Sequence, residues 1–360
     1  MSTKVFVTGI TGYIGGQTVL HLLRKLPELS VTALIRDERQ AAAIKAAFPQ
    51  VKTVVGHLDS VDTLARLSAE SDVVLQCASA DHAVAVAAII KGIKSKPTGS
   101  APGFLIHTSG TGILGNPDQA YGAPPDREYD DVSDIKIITN FPLRRWHRDV
   151  DKLVLEASAG DDPVDNAKIK TAIVCPPTIY GRGDGPIRVR SVQLPDLANS
   201  ALRRGGSLTV NEGKNEWRNV HVADLANAYV LLIEEALRGG GKADWNSDGY
   251  YFVENGHHVW KDLAKAVAEV GFKKGYFKSD NVDVLSVEET LEVQPTPHPG
   301  PDIWGVNSLG YASRIRSLGW KAQKPPIWEY VSEAVDIEAE ALGLRKWAMR
   351  RRTSKLPFFT

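Results

Sequence analysis

Cysteine is nearly missing from this 360-residue chain. There are two, Cys77 and Cys175, both in apolar, strand-like runs. That excludes a disulfide framework and fits a reducing compartment. Net charge is missing as well: 43 Lys and Arg balance 43 Asp and Glu, so no basic excess draws the chain to nucleic acid. No apolar run reaches the ~18 residues needed to cross a bilayer. The chain enters an apolar strand four residues after its first methionine, which leaves no room for a secretory signal. The tripeptide SKL at 354–356 is not terminal and is therefore no peroxisomal address. No His/Cys group has metal-ligand spacing, so no metal site is expected. Internal repeats and low-complexity tracts are absent. What remains is the expectation of a cytoplasmic globular protein, and 43% hydrophobic against 24% charged residues is ample for a core.

What is present is alternation. Residues 4–9, 30–36, 51–58, 72–78, 103–109 and 169–177 are short runs rich in Val and Ile, apolar on both faces. That is the pattern of a parallel sheet covered on both sides. Helical patterns at 15–26, 38–48, 60–70 and 83–94 separate them. Strand–helix alternation predicts an α/β, Rossmann-type doubly wound sheet. Further on, 222–237, 258–271 and 328–344 read as helices and 249–256 as a strand and loop. The expected organisation is a nucleotide-binding domain over 1–182, to which 219–256 returns. A smaller mixed α/β substrate lobe and the C-terminal helices occupy 183–360.

The first strand runs into Gly9-Ile10-Thr11-Gly12-Tyr13-Ile14-Gly15. Glycines at this spacing let the turn fold tightly and let the backbone approach a pyrophosphate. The helix that follows offers free N–H groups and a partial positive charge. At the tip of the second strand stands Arg36. An acidic residue there would bind ribose hydroxyls, whereas arginine suits a 2′-phosphate, which favours NADP(H). Asp37 follows directly and keeps NAD as the lesser reading.

Together VTGITGYIGG (7–16), VTALIRD (31–37), LIHTSGTGILG (105–115), PPTIYGRG (176–183) and NVHVADLANAY (219–229) resemble the extended short-chain dehydrogenase/reductase family, of the NAD(P)-dependent epimerase/dehydratase type. The resemblance runs in order over about residues 3–260. It implies a Rossmann domain with a small C-terminal substrate lobe. It also implies cofactor contacts from Gly9, Thr11, Gly12, Tyr13, Ile14, Gly15, Arg36, Leu58, Cys77, Ala78, Ser79, Lys152, Pro177, Thr178 and Ile179.

The resemblance breaks down at the family's Ser-Tyr-Lys triad. Lys152 followed by Glu156 repeats the family's K-x-x-x-E, which puts Arg148 in the tyrosine position. Counting along the 108–115 stretch puts Gly110 in the hydroxyl position, flanked by Ser109 and Thr111. An acidic residue expected before Leu58 is replaced by His57. Arginine stays charged and accepts nothing, so it cannot deliver a proton as tyrosine does. The expected catalytic set is therefore Lys152 on the nicotinamide ribose, Arg148 with Ser109 or Thr111 polarising the substrate, and His147 as a proton donor beside Asp151, its i,i+4 neighbour.

Tyr180 is a replacement phenol or a packing residue, and Tyr121, Tyr129 and Trp304 border the substrate. The basic run Arg345–Lys355 reads as a solvated helix end. The function expected is NADPH-dependent reduction of a small ketone, imine or enone, by a chain free of nucleic-acid and membrane partners that is compatible with a homodimer. The alternatives are a silent NADP(H)-binding sensor or scaffold and a non-redox isomerase or dehydratase on the same fold.

Overall fold

The computed structural model describes residues 3–295 and 300–344. The basic run beyond 344 and part of the proline-rich loop lie outside the described residues. Seven parallel strands form the main sheet. The first five are β1 (Lys4–Thr8), β2 (Ser30–Ile35), β3 (Lys52–Val55), β4 (Val73–Gln76) and β5 (Gly103–Thr108). The strands Ile169–Cys175 and Tyr250–Phe252 extend the sheet beyond β5, and on the other side β4 is followed by β1, β2 and β3. Order reverses between β1 and β4, where Val5 pairs with Val31 on one side and Val73 on the other. A crevice opens past the strand ends at such a reversal.

The helices α1 (Tyr13–Lys25), α2 (Glu38–Ala47), α3 (Val61–Ala69) and α4 (Ala83–Lys94) are the crossovers. Both faces of the sheet are covered, which is why β4 and β5 are buried along their whole length. All six apolar runs and all four helical patterns of the first half appear as elements of the expected kind.

The described residues form two hydrophobic cores. The first joins the main sheet to Val222–Leu237, whose Leu225, Tyr229 and Leu232 are fully buried. The second packs Gln193–Arg204, Trp260–Lys273 and Ile327–Ala341 around Trp217, Trp260 and Trp304. The chain passes between them repeatedly: after the second core has begun, Ala312, Ile315 and Trp320 return to the first. No helix among the described residues is long and apolar enough to cross a membrane.

Candidate active site

The glycine turn is shaped by close approach. Gly9 adopts φ +84°, and a Cβ there would lie 2.6 Å from the backbone carbonyl carbon of Cys77. A Cβ on Gly15 would lie 2.3 Å from Gly9 O. Gly12 precedes α1 and offers no side chain to cap it, so no cap claims the first N–H groups of the helix beside the cleft that Gly12 lines. Gly9, Thr11, Gly12, Arg36, Leu58, Cys77 and Ala78 line a cleft of about 210 Å³ here, together with Gly56 and His57. The missing side chains and the bare helix end fit a dinucleotide pyrophosphate.

The other residues assigned to the cofactor are placed differently. Tyr13 donates its hydroxyl to the carbonyls of Tyr180 and Gly181, which ties the turn to the loop after the strand Thr178–Tyr180. That loop lies against the start of α1 and brings Arg188 to the cleft that Arg36 also lines. Sequence reading missed Arg188, because nothing in the local pattern reveals which loop folds back 170 residues later. Asp37 is occupied, since its carboxylate caps α2 by accepting from Gln40 N at 2.9 Å. Ser79 accepts from Asp81 N through its hydroxyl and from the Gln76 amide through its carbonyl. It therefore shapes the loop after β4. Ile14 packs against the core, and Pro177, Thr178 and Ile179 follow the strand Ile169–Cys175, with Thr178 fully buried.

At the β5 end the structure corrects the triad register. His147 stands just before the helix Arg148–Glu156, and its ring reaches Asp81 and the Gly110 backbone, while Asp151 reaches Tyr250 and Arg148 and Lys152 take other partners. Arg148 is buried and donates to the carbonyls of Phe141 and Thr139, a structural brace rather than an oxyanion partner. Lys152 is exposed, 3.6 Å from Glu156. Thr111 is also committed elsewhere: its hydroxyl pairs with Ser308 at 2.7 Å. Ser109 Oγ is buried beside Asp151 without a well-aligned hydrogen bond.

His147 sits at φ +63°, in left-handed backbone that a non-glycine residue adopts at a cost of about 1–3 kcal/mol. Its Nδ1 lies 2.6 Å from Asp81 Oδ1. The expected partner, Asp151, instead faces inward and accepts from the Tyr250 hydroxyl at 2.7 Å. The His147 hydrogen bond holds the Asp81 carboxyl below the usual carboxylate range. An ionised Asp81 accepts, so Nδ1 carries the proton of that bond and Nε2 is the nitrogen left to react.

The departure at Gly110 now has a physical reason. A Cβ there would lie 3.0 Å from His147 Nε2, so the imidazole occupies the space of the family's hydroxyl side chain. Beside it, a Cβ on Gly112 would lie 2.6 Å from the Trp146 ring. Trp146, Tyr121, Arg144 and Val306 border a small neighbouring cavity that reaches the second core. Tyr180 and Trp304 are not part of it. Both are buried, bonded through their polar atoms to the carbonyls of Pro325 and Gln193. Tyr129 packs edge-on against Phe141.

Comparison with known proteins bears on the family and the fold. Residues 9–98 match the NAD(P)H-binding family model and residues 117–247 the NAD dependent epimerase/dehydratase family. The chain is 33% identical over 355 residues to the protein named Oxidase ucsJ of Acremonium sp, covering 96% of this chain and 100% of that one. An uncharacterized protein of Schizosaccharomyces pombe is 29% identical over 312 residues, covering 81% and 95%. Among solved structures, UDP-glucose 4-epimerase of Thermotoga maritima superposes with a TM-score of 0.61 at 14% identity, covering 94% and 100%. dTDP-glucose 4,6-dehydratase of Bacillus anthracis, in complex with NAD, gives 0.63 at 13%, covering 97% of each chain. By sequence and by fold, this chain belongs to the extended short-chain dehydrogenase/reductase family of NAD(P)-dependent enzymes.

Proposed function

We propose that the chain is an NADPH-dependent oxidoreductase acting on a small organic ketone, imine or enone, with His147 in the role of the family's tyrosine. The observation that carries this reading is His147 itself. Its backbone is held left-handed, Asp81 orients Nδ1, and Nε2 fills the space of the absent Gly110 side chain. A nicotinamide cofactor, when bound, supplies or takes up a hydride. His147 manages the accompanying proton. As imidazolium it donates from Nε2 to the substrate oxygen or nitrogen, and as neutral imidazole it accepts the proton in the reverse direction. Asp81 stabilises the charged ring and keeps its reactive nitrogen turned to the substrate.

NADP(H) is the preferred cofactor in this reading. Arg36 and Arg188 converge on the cleft as two cations for a 2′-phosphate, and Asp37, the one acid at the strand tip, is spent on the α2 cap. The relative named as an oxidase is consistent with redox chemistry. The test has two arms. Thermal-shift titration should show stronger stabilisation by NADPH than by NADH. Absorbance of NADPH should then fall with some member of a panel of ketones, imines and enones. Tight NADPH binding with silence across the whole panel would replace this reading with that of a non-catalytic sensor.

A further inference from the structure

Arg188 lines the cleft, yet its side chain makes no hydrogen bond or ion pair with the described residues. Its place is therefore set by the backbone of the loop 181–191. That loop is tied at its start to α1. Tyr13 donates to the carbonyls of Tyr180 and Gly181, and Asp184 N donates to Gln17 Oε1 at 2.6 Å. Gly183 N donates to Val189 O at 2.8 Å and closes the loop on itself.

The far end of the loop is tied to the second core instead. Arg190 Nε donates to Glu338 Oε1 at 2.7 Å. An Nη of the same guanidinium lies 2.7 Å from Asp196 Oδ1 and donates to Ser191 O at 3.0 Å. Both carboxylates are buried, with the Glu338 side chain 3% exposed and that of Asp196 1%. Glu338 stands on the helix Ile327–Ala341 and Asp196 on the helix Gln193–Arg204. Asn199, one turn beyond Asp196, donates to the second oxygen of Glu338 at 2.8 Å.

Two carboxylates taken out of water need a cation, and removing it would leave both uncompensated. Arginine meets two acceptors at once through its rigid fork, so Arg190 has one favourable place. Apolar packing adds less, because a cavity of about 130 Å³ separates Val189 from Tyr330, Ala334 and Ile337. The ion-pair clamp thus fixes a backbone only two residues from Arg188.

We infer that Arg190 is a positioning residue, through which the buried carboxylates of Asp196 and Glu338 hold the Arg188 guanidinium where a 2′-phosphate would lie. The helices of the second core then take part in the choice between NADPH and NADH. This rests on the cofactor preference proposed above. None of the three clamp side chains lines the cleft, so their effect passes through the loop backbone.

The experiment reads a ratio of affinities. NADPH and NADH differ by the 2′-phosphate alone, so general loosening of the fold weakens both, whereas displacement of Arg188 weakens only NADPH. Calorimetry on the full chain gives Kd for each nucleotide with E338Q, R190K, R188A and the double variant R188A/E338Q. E338Q removes one charge and leaves Asp196 to hold Arg190; R190K keeps the charge and loses the fork. Each should lower the preference for NADPH by about threefold or more with NADH unchanged. The double variant should show no further loss of preference beyond R188A. If E338Q fails to fold, R190K carries the test. An unchanged preference in the folded clamp variants, or an additive loss in the double variant, overturns the inference while R188A still supports the cofactor reading. An unchanged preference in R188A removes the phosphate role of that arginine, and the inference falls with it.

Discussion

The two parts of the candidate site differ in how they are built. The pyrophosphate end uses backbone: Gly9, Gly12 and Gly15 shape a turn whose form depends on atoms that are missing. The proposed reacting end uses side chains brought from far apart. Asp81 comes from the loop after β4 and His147 from a helix start 66 residues later, and Gly110 yields the space between. A backbone site is written in consecutive residues. A side-chain site depends on register, and here a single residue of register separates the pair His147/Asp151 from the pair Arg148/Lys152.

The comparison can be broken most severely at the backbone end. Gly15→Ala would place a Cβ 2.3 Å from Gly9 O, where only backbone can give way. We expect NADPH affinity to fall by roughly 100-fold or more in calorimetry. At the other end, His147→Ala should lower kcat/KM by about 10²- to 10⁴-fold. Lys152→Ala should change it by less than about twofold, because that lysine is exposed beside Glu156. A large loss in Lys152→Ala with a small one in His147→Ala would restore the family register and sink the one described here.

A smaller effect is expected in stability against pH. Asp151 is raised in the folded protein, from an ordinary 3.8 to about 6. Its contribution is therefore fully present below about pH 4 and is lost as pH rises through about 6, at most about 3 kcal/mol. Urea melts of Asp151→Asn between pH 5 and 8 should show a flatter dependence than the parent protein. Smallest of all, Arg36→Ala and Arg188→Ala should each weaken NADPH by about tenfold, near 1.4 kcal/mol, and leave NADH unchanged. Equal losses for both nucleotides would remove the 2′-phosphate from the argument.

Much of the architecture was legible because it is local. The runs at 4–9 and 103–109 are apolar on both faces, which only a doubly covered strand tolerates, and the glycine turn follows the first strand directly. The catalytic assignment was less legible. Lys152-x-x-x-Glu156 matches the family spacing, yet in the fold it is a solvent-exposed i,i+4 pair. The signal available was His147 four residues before Asp151, read as a helix pair although the two residues take separate partners. Arg188 carried no signal of its own.

The sequence by itself determined the α/β alternation, the nucleotide turn and the loss of the tyrosine, since each depends on neighbours within a few residues. Only the tertiary structure decided where the helix begins, which of its faces is buried, and that Asp81 rather than Asp151 orients the histidine. The physical reason is that a helix turns its side chains by about 100° per residue. Which face is buried is settled by Arg148 finding the carbonyls of Thr139 and Phe141, and by Asp151 finding Tyr250 from a strand 99 residues away.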